Sequence, residues 1–338
     1  MKPTVFFPLV LGFFCFILQI SALSSCPYWS PLVPNGSKGY DIVSLYTCDN
    51  ILYPQGNFTL GEKYSSVATV GPFISESAPT FVAVVGVNQP SSDLAVVTIT
   101  PSFSNGTASQ VNLVTQFNMQ FIYSPSVLFA DASGIPFGIV PLIYETPVYR
   151  YDYQSYPVKI ASTNALLLPG SSSKYFAMFN NATNAPELLI FINGQSSQLD
   201  LWSITIDGTN VTKHTNFPVT PGPFYGAASD GNTLWAVFPY APSNTLGVYE
   251  IDVSSATITF HINTNIPTNS LFPFYTAYGP DFYFDAVSGT LYWGGFSVGS
   301  RQNVQLFSTV LKTGKTSSSP VSPFNPTSLY LNFISQSN

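Results

Sequence analysis

Beyond its first two dozen residues, the chain alternates short apolar runs with gaps rich in Gly, Pro, Ser and Asn. No segment there carries apolar side chains at convincing helical spacing, so the pattern predicts strands. Two kinds of strand recur in a fixed order. A densely apolar one comes first: FVAVVGV (81–87), PFGIVPLIY (136–144), ELLIFING (187–194), NTLWAVFPY (232–240) and GTLYWGGFS (289–297). After a short polar loop comes a more strictly alternating one: LAVVTIT (94–100), LDLWSITI (199–206), LGVYEIDV (246–253) and VQLFSTVL (304–311). The segments DGTN (207–210) and KTGK (312–315) supply the Gly and Asx residues that tight hairpin turns require.

These elements repeat. Pro-Phe recurs at 72–73, 223–224, 273–274 and 323–324, with similar loop prolines at Pro125 and Pro169, so the spacing is about 50 residues. That period suits a four-stranded propeller blade. Its strand positions are here called A to D from the innermost outward, with the dense strand at B, the alternating strand at C and Pro-Phe leading into A. Five repeats then span residues 71–320, and a sixth is divided between the two ends of the chain. The tail SPFNPTSLYLNFI (322–334) matches GPFISESAPTFVAVV (71–85) and is expected to supply A and B; GYDIVSLYT (39–47) is expected to supply C, and the segment after it D. Joining them closes a ring without a free sheet edge.

On the segments DAVSGTLYW (285–293), SDGNTLWAV (229–237), ADASGIPFGI (130–139) and LKTGK (311–315), the chain resembles the broad six-bladed β-propeller group with YWTD-type and NHL-like repeats. The Trp-Thr-Asp of a YWTD repeat is absent, because Tyr292 and Trp293 are followed by Gly294 and Gly295. The resemblance implies an all-β, six-bladed propeller and carries over no activity.

The N-terminus reads as a secretory signal peptide: Lys2, an apolar run from Val5 to Ile20, then small residues with Ala22 and Ser24 placed for cleavage. The expectation is a signal at 1–24, a single domain at 25–338, secretion to the extracellular space and no transmembrane anchor after cleavage. Removing Cys15 with the signal leaves Cys26 and Cys48, which in an oxidising compartment most simply form one disulfide. Asn35, Asn57, Asn105, Asn181 and Asn210 all begin N-x-S/T sequons. Only 8% of residues are charged, 15% are aromatic and the net charge is −6, which argues against nucleic acid as a partner.

Candidate chemistry is sparse. GFSVG (295–299) matches the nucleophile-elbow pattern around Ser297, but no helix is predicted after it, and His214 and His261 both precede it. Asp131, Asp230 and Asp285 recur in A–B turns, where an Asx side chain caps local N–H groups. His214 and His261 fall near equivalent positions of D strands and lack further metal ligands. Glu76 and Asp281 are the main carboxylates near the A strands, too few for the converging ligands of a metal-dependent lactonase or a polysaccharide-active enzyme. No catalytic residue, metal site or cofactor is therefore expected. Trp202, Trp235 and Trp293 are expected between blades.

In a propeller, A–B and C–D loops open on one face and B–C and D–A loops on the other. Asn105 and Asn210 map to C–D turns, Asn57 to the C–D region of the divided repeat and Asn181 to an A–B loop, so four of the five sequons would crowd one face and leave the opposite face bare, with Asn35, before the first strand, unplaced. That face would present NQPSSD (88–93), YETPV (144–148), GQSSQ (194–198), YAPSNT (240–245) and SVGSRQN (297–303). Its candidate binding residues are Glu145 and Arg301 as charges and Tyr240, Phe224 and Phe274 as aromatic platforms. The sequence thus favours a secreted, glycosylated binding module for a protein or carbohydrate partner, with a propeller enzyme and a structural coat protein as alternatives.

Overall fold

A computed structural model describes residues 28–30, 32–36, 38–46, 52–75, 80–88, 93–103, 108–118, 127–130, 135–140, 146–151, 158–163, 174–180, 187–193, 199–205, 210–214, 224–229, 233–255, 257–272, 282–297, 304–318 and 332–334. Their regular structure is strand, apart from two one-turn 3-10 helices at Ala241–Ser243 and Thr268–Ser270. The chain opens with β1 (Tyr28–Ser30), β2 (Leu32–Asn35), β3 (Gly39–Tyr46) and β4 (Leu52–Thr59). Sheet one is β5 (Tyr64–Ser75), β6 (Thr80–Val87), β7 (Asp93–Thr100) and β9 (Gln110–Asn118), with β8 (Ser102–Phe103) between the last two in sequence. Sheet two is β10 (Val127–Ala130), β11 (Pro136–Ile139), β12 (Thr146–Arg150) and β13 (Val158–Thr163). Sheet three is β14 (Lys174–Asn180), β15 (Glu187–Asn193), β16 (Leu199–Thr205) and β17 (Val211–His214). Sheet four is β18 (Gly226–Ser229), β19 (Leu234–Tyr240), β20 (Thr245–Asp252) and β21 (Thr257–Pro267). Sheet five holds β22 (Leu271–Phe272) and β23 (Tyr283–Asp285), both paired to β24 (Thr290–Ser297), followed by β25 (Val304–Val310) and β26 (Thr316–Ser318). Finally β27 (Asn332–Ile334) pairs with β1, and β1, β3, β4 and β8 complete that terminal sheet, with β2 also on β3.

The dense runs become second strands and the alternating runs third strands, as the repeat predicts. The packing explains the density. On β6, Phe81, Ala83 and Val85 pack with Tyr40, Phe58 and Leu60 of the terminal sheet. The intervening Val82 and Val84 pack with Leu128 and Tyr151 of sheet two. Sheet four behaves alike: Ala236 and Phe238 join Leu189 and Leu201 of sheet three, while Val237 and Val248 join Leu291, Trp293 and Phe307 of sheet five. A strand covered on both faces must be apolar at successive positions, and each fully buried large side chain contributes roughly 1.5–3 kcal/mol. The innermost strands touch in chain order, β27 to β5, β5 to β10, β10 to β14, β14 to β18 and β18 to β23. Trp293 is fully buried, stacks on Phe307 at 4.4 Å and donates its indole N–H to Thr309 Oγ1 at 3.0 Å. Gly226, with φ +152°, leaves room for the Phe282 ring, which a Cβ would overlap.

Three expectations change. The second position of the terminal sheet is filled by β1 and β2, both on β3, with registers Tyr28↔Tyr46 and Leu32↔Ile42, while the tail contributes β27 on the far side of β1. Pro31 and Pro34 hide this broken strand, because proline reads as interrupting a ladder. Pro72-Phe73 does not precede the innermost strand of sheet one but lies inside β5, whose register shifts between Val70 and Phe73. In sheet two, β12 starts at Thr146, within the expected loop 144–148, and Pro147 faces Ser162.

Candidate functional site

The end of the molecule where B–C turns meet D–A links is tied together by short polar contacts. Between the terminal sheet and sheet one, Leu60 N–H donates to the Lys38 carbonyl at 2.9 Å, and Lys38 Nζ reaches the Glu62 carbonyl at 3.4 Å. Asn88 at the end of β6 clamps the same link: its N–H donates to the Lys63 carbonyl at 2.7 Å, and its amide donates to the carbonyls of Glu62 at 2.9 Å and Tyr64 at 2.8 Å. Backbone and amide groups paired in this way hold the link in one conformation although Glu62, Lys63 and Asn88 are exposed.

Sheet four repeats the arrangement. The 3-10 turn Ala241–Ser243 ends at Asn244, with φ +52°, a left-handed conformation that Asn tolerates better than most residues. The Asn244 carbonyl accepts from Thr268 N–H at 3.0 Å and Thr268 Oγ1 at 3.2 Å, so the B–C turn is fastened to the end of the D strand. Thr245 Oγ1 donates to Asn263 Oδ1 at 2.8 Å, and Asn263 Nδ2 donates to Ser243 Oγ at 3.0 Å. Beside this polar knot, Tyr240 stacks on Phe260, with ring centroids 4.1 Å apart and planes at 15°. Tyr249 meets Phe260 edge-on at 5.4 Å, and its hydroxyl donates to the Pro239 carbonyl at 3.1 Å. Burial, and then the neighbouring Tyr240, raise the Tyr249 phenol above its ordinary value.

With the geometry in place, comparison with solved structures gives a consistent result. TolB from Acinetobacter baumannii superposes over 94% of this chain and 69% of its own, with a TM-score of 0.54 and 10% identity. A chain of a nidogen/laminin complex superposes over 92% of this chain and 100% of its own, with a TM-score of 0.51 and 11% identity. The β-propeller domain of the Trilobed protease from Pyrococcus furiosus matches 88% of this chain and 83% of its own at a TM-score of 0.43 and 12% identity. The antiparallel sheets touching in chain order through their innermost strands, together with the first two of these likenesses, make the architecture that of a β-propeller. At these identities the likeness is one of fold. No known family profile matches the sequence, and no curated protein does.

Within this propeller, the residues singled out from sequence separate. Tyr240 closes β19 at the rim and is half-buried. Phe224 is not a platform: it is 5% exposed and packs on Phe238 at 5.4 Å, because it joins the interface between sheets three and four. Glu145, Arg301 and Phe274 lie outside the described residues, as do Glu76, Asp131, Asp230, Asp281, Cys26, Cys48, Asn105 and Asn181. Asp285 makes the expected Asx turn, accepting from Val287 N–H at 3.0 Å and Ser288 Oγ at 2.6 Å. His261 is exposed, with its ring edge-on to Trp235 at 4.9 Å. Ser297 ends β24 opposite Leu271. Among the described residues, no helix is long and apolar enough to cross a membrane.

The sequons also divide. Asn210 sits at the hairpin joining β16 to β17, where Thr205 N–H donates to its carbonyl at 3.0 Å, as expected of a C–D turn. Asn57 lies within β4, opposite Asp41 and away from the C–D turn of its own sheet; on its other side it faces Ser102 of β8. Asn35 begins the turn joining β2 to β3, and its amide donates to both Asp41 carboxylate oxygens at 3.1 and 3.0 Å. The B–C face therefore carries a sequon of its own. Ser243 and Thr245 fall in the loop 240–245 named from sequence, but Phe260 and Asn263 were not singled out; they belong to the outer strand β21, which reaches Tyr240 only across β20.

Proposed function

We propose that the protein is a secreted, glycosylated, six-bladed β-propeller that acts as an extracellular binding module for a protein or carbohydrate partner. In this reading residues 1–24 are a signal peptide, residues 25–338 form one domain, and the terminal sheet closes the ring through β1 and β27. Six sheets among the described residues, touching in chain order, support the blade number. The observation that carries the binding role is the fastened rim. Asn88 and Asn244 lock B–C turns to D–A links, so a partner meets groups already held in place and little ordering entropy is lost on association.

The test uses the protein secreted from a eukaryotic host. It is screened on a glycan array and against solubilised extracellular proteins, with metal content measured by plasma mass spectrometry after dialysis and lactone hydrolysis assayed in parallel. Saturable binding with a defined partner supports the module. A stoichiometric metal with lactone turnover, and no saturable partner, overturns it in favour of a propeller enzyme.

A further inference from the structure

The face of sheet four that looks toward sheet three ends, at the rim, in an aromatic shelf with a polar border. Phe260 is 38% exposed, the one exposed Phe, Tyr or Trp among the side chains described. Its inner edge covers Gly247, where a Cβ would stand 3.0 Å from the ring, and Tyr240 supports it by stacking. The register Gly247↔Asn263, with Thr245 opposite Tyr240, sets Thr245 and Asn263 beside the shelf on the same face. Ser243, Thr245 and Asn263 already bond to one another, so their remaining donors and acceptors are held in fixed directions. The Tyr240 hydroxyl makes no hydrogen bond among the described residues. Among the described residues, the side chains of sheet four around the shelf, Tyr240, Thr245, Tyr249, Phe260 and Asn263, include no carboxylate and no cation.

We propose that this shelf is a subsite for a neutral oligosaccharide, an inference that rests on the binding-module reading above. A pyranose ring has an apolar C–H face that suits an exposed aromatic ring, and equatorial hydroxyls that suit a fixed border of amide and hydroxyl groups. An uncharged border in a chain of net charge −6 offers an acidic saccharide no counter-charge. Sequence alone does not reveal the subsite because Tyr240 and Phe260, 20 positions apart, meet only through the pairing of β19, β20 and β21.

The experiment is isothermal titration of the secreted protein with cellohexaose, chitohexaose, xylohexaose, mannohexaose and laminarihexaose, and with an oligogalacturonate hexamer as the acidic probe. At least one neutral hexamer is expected to bind saturably. Phe260→Ala then weakens it by about tenfold or more, and Tyr240→Phe, which keeps the stack and removes the hydroxyl, by about threefold. Should Phe260→Ala not fold by circular dichroism, Phe260→Leu replaces it, filling the space over Gly247 without a ring, with the same loss expected. Neutral binding that survives Phe260→Ala or Phe260→Leu overturns the subsite and leaves the binding module standing. Preference for oligogalacturonate overturns the neutral class. Binding of no hexamer, with a protein partner captured in the wider screen, overturns the inference alone. Failure of both screens removes the module reading as well.

Discussion

Trp293 shows how a single side chain joins two links of the argument. Its aromatic strand context predicts an interior position, and the structure gives it full burial, a stack on Phe307 and a hydroxyl partner in Thr309. Trp293→Ala is expected to cost about 3–5 kcal/mol, because the cavity adds to the lost transfer energy; urea unfolding followed by far-ultraviolet dichroism measures it. Asp252 acts by charge. At the end of β20 its carboxylate accepts from the hydroxyls of Ser254 at 2.6 Å and Ser255 at 2.7 Å and from their backbone N–H groups, which lowers its pKa to about 2. A depressed acid stabilises the fold above its unfolded pKa and loses that contribution as pH falls through the folded value. Asp252 should therefore stabilise the turn fully at neutral pH and progressively less between about pH 4 and about pH 2. Titration of its carboxyl by NMR checks the midpoint, and in Asp252→Asn thermal stability should lose that part of its pH dependence.

Among the elements, the terminal sheet depends on its smallest strand. β1 has three register pairs with β27 and two with β3, so a short ladder carries the connection between the two ends of the chain. Cys26 and Cys48 lie outside the described residues, and the expectation that they form one disulfide rests on the sequence alone, as the even pair left after signal cleavage in an oxidising compartment. Peptide mass mapping without reduction should recover the linked pair, and Cys26→Ser with Cys48→Ser should lower stability by about 3 kcal/mol. Recovery of free thiols at both positions would remove this account. The hairpin at Lys312–Lys315 needs no such aid: Gly314, at φ +69°, sits against Ile262 where a Cβ would crowd it, and Val310 N–H donates to the Lys315 carbonyl at 3.0 Å.

For the molecule as a whole, stability follows from stacking sheets in chain order, so the short β1–β27 ladder that joins the two ends of the chain is its expected weak point. Removing residues 332–338 deletes β27 and exposes the free edge of β1. The expected result is a lower urea midpoint together with concentration-dependent association, read by light scattering, since an unpaired strand edge is a template for pairing between copies. A truncated protein that matches the full chain in both measurements would show that the β1–β27 contact does not hold the molecule together.

The strand pattern by itself determined the repeat, the second and third strands of four of the repeats, the glycine-containing hairpin at 312–315 and the interior place of Trp293. All of these rest on neighbouring residues, whose alternation and turn chemistry act within a few positions. The tertiary structure decided what depends on partners far away in sequence. It put β1 and β2, disguised by Pro31 and Pro34, beside β3, absorbed Pro72 into the irregular β5, and buried Phe224 against Phe238. It also brought Tyr240, Phe260 and Asn263 to one rim. Periodicity states which faces of a strand are apolar; only packing of one sheet on the next states which of those faces remains open to a ligand.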